Sequence, residues 1–90
     1  MEFEWGGNKA TANFRKHGVC FEEASSVFGG VLAVTFRDPA HSVAEHRFLA
    51  FGVSRSGLLL VVSFADRSKR TRIISARQAT RAEKKIYEEG

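Results

Sequence analysis

The sequence has one cysteine and one proline among its 90 residues, and it lacks any long hydrophobic run. A lone Cys20 excludes an intramolecular disulfide and a zinc site built from several cysteines, which favours a reducing compartment. The longest apolar run, residues 58–62, is too short to cross a bilayer. The first residues do not combine a basic start with an apolar stretch, so we expect no secretory signal. We expect a cytoplasmic protein that does not associate with membranes.

The composition is that of one small folded domain. Hydrophobic residues make up 43% of the chain and include eight phenylalanines, which is enough for one compact core. Two separate cores within 90 residues would each be smaller than a domain that folds readily alone. We therefore expect a single domain over residues 1–90.

Charge is distributed unevenly along the chain. Residues 1–66 hold six basic and seven acidic side chains, whereas residues 67–85 hold eight basic side chains and one acidic one. The second segment therefore carries +7, while the whole chain carries +4. Such asymmetry indicates an anionic partner, either a nucleic acid or an acidic protein surface. The alternative is a solvated basic flank, but part of the charge falls on a predicted strand between apolar residues.

Apolar periodicity and turn signals predict an α+β domain. A short strand over residues 2–5 is followed by two N-terminal helices, residues 9–17 and 21–28. Four strands then follow, joined by short connections that favour an antiparallel meander: residues 31–36, 45–54, 58–65 and 70–76. A C-terminal helix over residues 81–89 closes the domain.

The first helix carries signals at both ends. Asn8 is placed to cap its start, and Gly18 is placed to end it in the left-handed conformation. Ala10 and Phe14 lie on one helical face, with Asn13 beside them and His17 one turn further on.

The last helix begins with the spacing of a capping box, in which Thr80 and Glu83 exchange hydrogen bonds with each other's backbone amides. Ala82 and Ile86 lie one turn apart, with Tyr87 beside them. We expect Ala82 and Ile86 to face inward.

The last strand carries arginines at positions that need a partner. Strict alternation of side chains puts Arg70 and Arg72 on one face of the strand and Arg77 on the other. Arg72 stands in mid-strand, where it must pair with a carboxylate such as Glu45 or Asp66, or face a groove that receives phosphate. Arg47 on a neighbouring strand poses the same choice, and the residues alone leave both answers open.

Other chemistries find little support in the sequence. His41 and His46 are not spaced for one helical face and have no third ligand nearby, so we expect no metal site. No glycine-rich phosphate loop or nucleophile elbow is present, and Cys20 lacks a partner that would activate it. We expect no cofactor.

Four ordered motifs give the chain a resemblance to a known family. They span most of the chain and read F-E-W-x-x-N-K-A, R-K-H-G-V-x-F-E-E-A, D-P-x-H-S-x-x-E-x-R-F and R-I-I-S-A-R-x-A-T-x-x-E. In this order they resemble the BrnT family of bacterial type II toxins. A typical member is expected to have Asp-Pro at Gly6-Gly7 and Ser or Thr at Cys20.

The resemblance implies a fold related to RelE and a metal-independent endoribonuclease activity that inhibits translation and growth. It also implies a BrnA-like ribbon-helix-helix antitoxin that silences the toxin, with promoter DNA bound only through that antitoxin. RNA would be the substrate. The alternative function is a non-catalytic basic module that binds nucleic acid or an acidic protein.

Metal-independent cleavage needs cations around the reacting phosphate and groups that move protons. The candidates for these catalytic roles are Arg47, Arg72, Arg77, His17 and Glu45. The candidates for RNA binding are Lys16, Arg67, Lys69, Arg70 and Tyr87. Trp5 or Tyr87 could stack on a base, although either could equally be a core or rim aromatic.

Overall fold

The computed structural model describes residues 2–30, 33–37 and 46–89, which form five strands and three α-helices. In chain order the elements are β1 (Glu2–Glu4), α1 (Gly7–His17), α2 (Phe21–Ser25), a 3₁₀ turn (Ser26–Gly29), β2 (Val34–Arg37), β3 (Arg47–Val53), β4 (Leu59–Arg67), β5 (Arg70–Gln78) and α3 (Arg81–Glu89). This arrangement confirms the α+β class. Residues 31 and 32 of the predicted strand 31–36, and residue 45 of the predicted strand 45–54, lie outside the described residues.

The five strands form one mixed sheet in the order β1-β5-β4-β3-β2. Strands β2 to β5 make the antiparallel meander that was predicted, but β1 pairs in parallel with β5. The prediction of an antiparallel meander sheet was therefore incomplete. The parallel pair is possible because a long stretch of chain separates β1 from β5, as a parallel connection requires.

Two local predictions about the N-terminal helices were wrong. Helix α1 begins at Gly7, with Gly6 as its N-cap and no side-chain cap, so Asn8 lies inside the helix. The second helix breaks after five residues and continues as the 3₁₀ turn. The predicted end of α1 is confirmed, because Gly18 has a φ of 71° and donates its amide to the carbonyl of Phe14.

One face of the sheet packs against α2, the 3₁₀ turn and Val19 to form the core. The fully buried side chains of this core include Val19, Phe21, Val27, Leu60, Val62 and Ile73. On helix α1, Ala10 packs against this core, whereas Phe14 is 57% exposed. The buried residue of α1 is the polar Asn13.

The buried amide of Asn13 completes the outer edge of β5. Its Nδ2 donates to the carbonyl of Ala76 and to the carbonyl of Val19, each at 2.9 Å, and its Oδ1 accepts from the amide of Ala76 at 3.0 Å. Strand β1 pairs with β5 only at residues 70–72, so Asn13 does for Ala76 what a neighbouring strand would do. This contact fixes α1 beside the second half of β5.

Helix α3 is held mainly at its first turn. The predicted capping box is confirmed, since the amide of Glu83 donates to Thr80 Oγ1 at 3.2 Å and the amide of Thr80 donates to Glu83 Oε1 at 2.9 Å. None of the residues of α3 is buried, and Ile86 is 68% exposed. Ile86 borders a cleft with Val34, Phe36 and Phe51, but neither it nor Ala82 is buried, so the expected inward side of α3 is not part of the core.

Replacing Asn13 with Ala should destabilise the fold. The substitution removes three hydrogen bonds and leaves the buried polar groups of Ala76 unpaired, so we expect a loss of about 3 kcal/mol at about 1 kcal/mol for each bond. Chemical denaturation measures the loss, and Asn8→Ala on the exposed side of the same helix is the matched control. Equal unfolding free energies for the two variants would show that the Asn13 contact is not a stabilising one.

Candidate functional site

A β-bulge in β5 brings its central arginines to one face of the sheet. Phe64 pairs with Ile73 and Ser63 pairs with Ser75, so Ile74 has no partner opposite. The extra residue shifts the alternation of side chains along the rest of the strand. Arg77 therefore lies on the same face as Arg72, and the prediction of opposite faces was wrong.

We call the face of the sheet opposite the core the second face. The strand register aligns four residues across it, with Arg47 opposite Ala65, Ala65 opposite Arg72, and Arg72 opposite Glu4. Neighbouring strands are about 4.8 Å apart, so the backbones of Arg47 and Arg72 are roughly 10 Å apart. Ala65 is only 1% exposed, and its short side chain leaves room above it for the long side chains on either side.

The partner of Arg72 is Glu4, a carboxylate that sequence reasoning did not consider. Arg72 Nη1 donates to Glu4 Oε2 at 3.1 Å. Of the partners suggested from the sequence, Asp66 pairs with Thr71 on the opposite face, and Glu45 lies outside the described residues. The signal that could have identified Glu4 is the alternation in residues 2–5, which puts Glu2 and Glu4 on one side of a strand.

The arginines around Glu4 outnumber its charge. Its carboxylate lies 3.8 Å from Arg67 Nη1 and 3.9 Å from Arg70 Nη1, in addition to the bond with Arg72. Arg70 also approaches Glu2 at 3.5 Å. Among the described residues, three guanidinium groups therefore face two carboxylates in this part of the second face.

Much of the hydrogen-bonding capacity of Arg72 remains available. A guanidinium has five N–H donors, and in the part of the chain that the structure describes Arg72 uses one of them, toward Glu4. A Cβ added at Gly6 would lie 3.8 Å from Arg72 Nη2, so the guanidinium lies beside the start of α1. Arg72 can therefore meet an anion that approaches along this edge of the sheet.

Arg77 is held differently, by a two-pronged ion pair with α3. Its Nη1 and Nη2 donate to the two oxygens of Glu83 at 2.7 and 2.9 Å. These bonds lower the pKa of the Glu83 carboxyl to about 2 and raise the pKa of Arg77. The pair anchors α3 to the second face, where Ile86 and Tyr87 border an open apolar cleft.

His17 and Lys16 lie at the edge of β5, near but outside the row of residues that runs from Arg47 to Glu4. Together with Lys9 and Ser75 they border a shallow recess between α1 and the bulge. Ser75 belongs to the second face, and the other three residues belong to α1. Helix α1 thus adds basic groups to the end of the arginine-bearing surface.

The remaining candidates are spread over several environments. Lys69 is exposed in the β4–β5 turn, and Tyr87 is half-buried on α3. Trp5 packs edge-on against Phe21 with ring centroids 5.8 Å apart, which is a core contact. No group of three or more metal-binding side chains comes together among residues 2–30, 33–37 and 46–89. None of the helices there is long and apolar enough to cross a membrane.

Two comparisons with known proteins give matches. A family model described as "Ribonuclease toxin, BrnT, of type II toxin-antitoxin system" matches residues 5–83. The 1.1 Å crystal structure of the Brucella abortus ribonuclease toxin BrnT superposes with a TM-score of 0.71 at 24% identity, covering 90% of this chain and 99% of that one. No curated protein matches the chain. The solved structure supports the fold, and the family model covers most of the sequence.

The Arg77–Glu83 pair should make stability depend on pH. Because the folded-state pKa of Glu83 is near 2, below that of an ordinary Glu, its contribution is complete above about pH 5 and is lost as the pH falls toward 2. Glu83→Gln should be less stable than the natural protein at pH 7, and the difference between their unfolding midpoints should narrow on acidification. A difference that stays constant from pH 7 to pH 2 would contradict this assignment.

Proposed function

The chain belongs to the BrnT family of ribonuclease toxins of type II toxin-antitoxin systems, and we propose that it is an endoribonuclease that works without a metal ion through the arginines of the second face. The observation that carries this proposal is the position of Arg72. It lies in mid-strand beside other arginines and is bound through one donor to Glu4 within the described chain. Surplus positive charge on one face favours a polyanion as the ligand.

The proposed reaction uses the 2′-hydroxyl of the RNA as nucleophile. This oxygen attacks the adjacent phosphorus, its proton passes to a base, and the bond to the 5′-oxygen breaks as that oxygen gains a proton. Negative charge accumulates on the phosphoryl oxygens in the transition state. Arg72 and Arg47, on either side of Ala65, would stabilise that charge with preorganised N–H donors.

Proton transfer is assigned to groups at the edge of β5. His17 is one candidate, since an imidazole can both accept and donate a proton, and Lys16 lies next to it on the same recess. Glu45 remains a candidate base, although it lies outside the described residues. Arg77 is a further catalytic candidate, and its two bonds to Glu83 favour a supporting role for it in the reaction.

RNA would be held along the basic surface by several weak contacts. Arg67, Arg70 and Lys69 lie near the β4–β5 turn, and Lys16 borders the recess at the other side of Arg72. Tyr87 on α3 offers a half-buried ring on which a base could stack. Contacts to phosphate from many cations give affinity without sequence preference.

The family implies an antitoxin partner, and we propose its type and effect. We expect a BrnA-like ribbon-helix-helix protein that covers the arginines with carboxylates, which would both block RNA and neutralise charge. Promoter DNA would be bound through that partner. Cleavage of RNA by the free toxin, within a RelE-like fold in the cytoplasm, would stop translation and growth.

Cleavage of RNA by the purified chain in EDTA tests the function. Arg72→Ala should lower the cleavage rate by about two to three orders of magnitude, the usual cost of one transition-state donor. Arg72→Lys should recover only part of the rate, because it restores charge without the two-pronged geometry. Arg55→Ala, an exposed arginine in the β3–β4 turn, is the matched control and should cleave normally.

The rival function is a basic module that binds without cutting. It predicts no cleavage in EDTA and weaker RNA binding for Arg72→Ala. A purely structural Arg72–Glu4 pair predicts a third pattern, in which Arg72→Ala lowers the unfolding midpoint while the folded fraction cuts RNA at nearly the normal rate. Melting curves recorded on the same samples separate these cases.

A second variant tests the start of α1, where Gly6 lies beside Arg72. Gly6 has the extended backbone of an N-cap, and an added Cβ there meets Arg72 Nη2 at an ordinary 3.8 Å. Gly6→Asp should therefore keep or slightly raise stability, by a few tenths of a kcal/mol, through capping. Because a typical family member is expected to have Asp at this position, the variant should also cut RNA. Gly6→Asn is the uncharged control for capping; an unfolding midpoint below that of the natural protein in both variants would contradict the capping role.

A further inference from the structure

Strand β1 is only three residues long, yet it places one carboxylate among the arginines of the second face. Phe3 points to the core, where its ring lies 5.3 Å from that of Phe28, so its neighbours Glu2 and Glu4 point to the other side. The parallel register sets Glu4 directly opposite Arg72. The position of Glu4 is therefore determined by backbone pairing and core packing.

An ordinary ion pair does not account for this arrangement. The side chains of Arg72 and Glu4 keep only 29% and 25% of their surface exposed, and a simple ion pair would need only one guanidinium for this one carboxylate. Glu4 instead faces Arg67, Arg70 and Arg72, and of these only Arg72 is within hydrogen-bond distance. The Glu4 carboxylate is therefore the common centre of three guanidinium groups.

We propose that Glu4 is a positioning residue for the ribonuclease reaction, which holds the Arg72 guanidinium so that its remaining donors face the reacting phosphate. This inference rests on the proposed function. Arg72 has several rotatable bonds, and fixing one N–H by a charge-assisted bond lowers the cost of presenting the others in one geometry. Glu4 itself is an anion, so it does not add to the affinity for RNA.

Kinetics can separate positioning from simple charge. Glu4→Gln keeps an acceptor for Arg72 but removes the negative charge, and Glu4→Ala removes both. We expect kcat to fall roughly 10- to 100-fold in Glu4→Ala, the usual effect of a small displacement of a catalytic group from the reacting atoms. In Glu4→Gln kcat should fall less. KM should stay the same or decrease in both, because the surface becomes more positive.

The matched control is Glu2→Gln. Glu2 lies on the same strand and the same side, pairs with Arg70 at 3.5 Å, and makes no bond to Arg72. The Glu2→Gln substitution removes the same charge from the same surface as Glu4→Gln. Because it leaves the Glu4–Arg72 bond in place, it should leave kcat unchanged. A fall in kcat for Glu2→Gln equal to that for Glu4→Gln would show that net charge, and not the position of Arg72, is what matters.

A measurement independent of activity uses the NMR signals of the Arg72 side chain. The bond to Glu4 should slow rotation of the guanidinium, so its Nη signals should be resolved in the natural protein and in Glu2→Gln and averaged in Glu4→Ala. Unchanged Arg72 signals in Glu4→Ala, or a raised KM at constant kcat, would overturn the proposal. If the natural protein does not cut RNA, the proposed function fails, and the NMR result still decides whether Glu4 holds Arg72.

Discussion

The outer edge of β5 depends on one buried amide. Strand β1 covers only the first residues of that edge, and beyond it Asn13 takes over the hydrogen bonds of Ala76. An open edge at this position would leave backbone groups without partners and α1 without a fixed place. Because Asn13 joins α1 to β5 just after the bulge, the same contact sets where His17 and Lys16 stand relative to Arg72.

Ion pairs organise the second face. Its arginines come from β3, β4 and β5, and among the described residues Glu2, Glu4 and Glu83 meet those of β4 and β5. Arg77 and Glu83 form a pair that holds α3 in place. Glu4 instead lies among Arg67, Arg70 and Arg72, and the proposed reaction would stabilise phosphate charge beside this group.

Local features of the fold could be predicted from the sequence, and long-range ones could not. The strands around residues 58–65 and 70–76, the end of α1 at Gly18 and the capping box of α3 all follow from patterns within a few residues. The bulge at Ile74 was hidden because Ile73 and Ile74 are both apolar, so either alternation of faces reads equally well. The parallel pairing of β1 depends on packing between residues far apart in sequence.

The candidate site shows the same division. Arg47 and Arg72 were singled out because a charge in mid-strand needs a partner, and both lie on the second face. The partner Glu4 was missed because only tertiary pairing brings β1 beside β5. The buried position of Asn13 has a related cause: helical periodicity defines a face of α1, but the edge of β5 determines which side of the helix is covered.

In the proposed reaction the protein supplies cations and proton transfer, and the RNA supplies its own nucleophile. A comparison of two substrates in EDTA tests this: an RNA oligonucleotide, and the same oligonucleotide with a single 2′-deoxy nucleotide at the cut position. We expect the deoxy substitution to abolish cutting at that bond while binding is retained, and the RNA product to end in a 2′,3′-cyclic phosphate. Cleavage of the deoxy-substituted bond at the normal rate would contradict it.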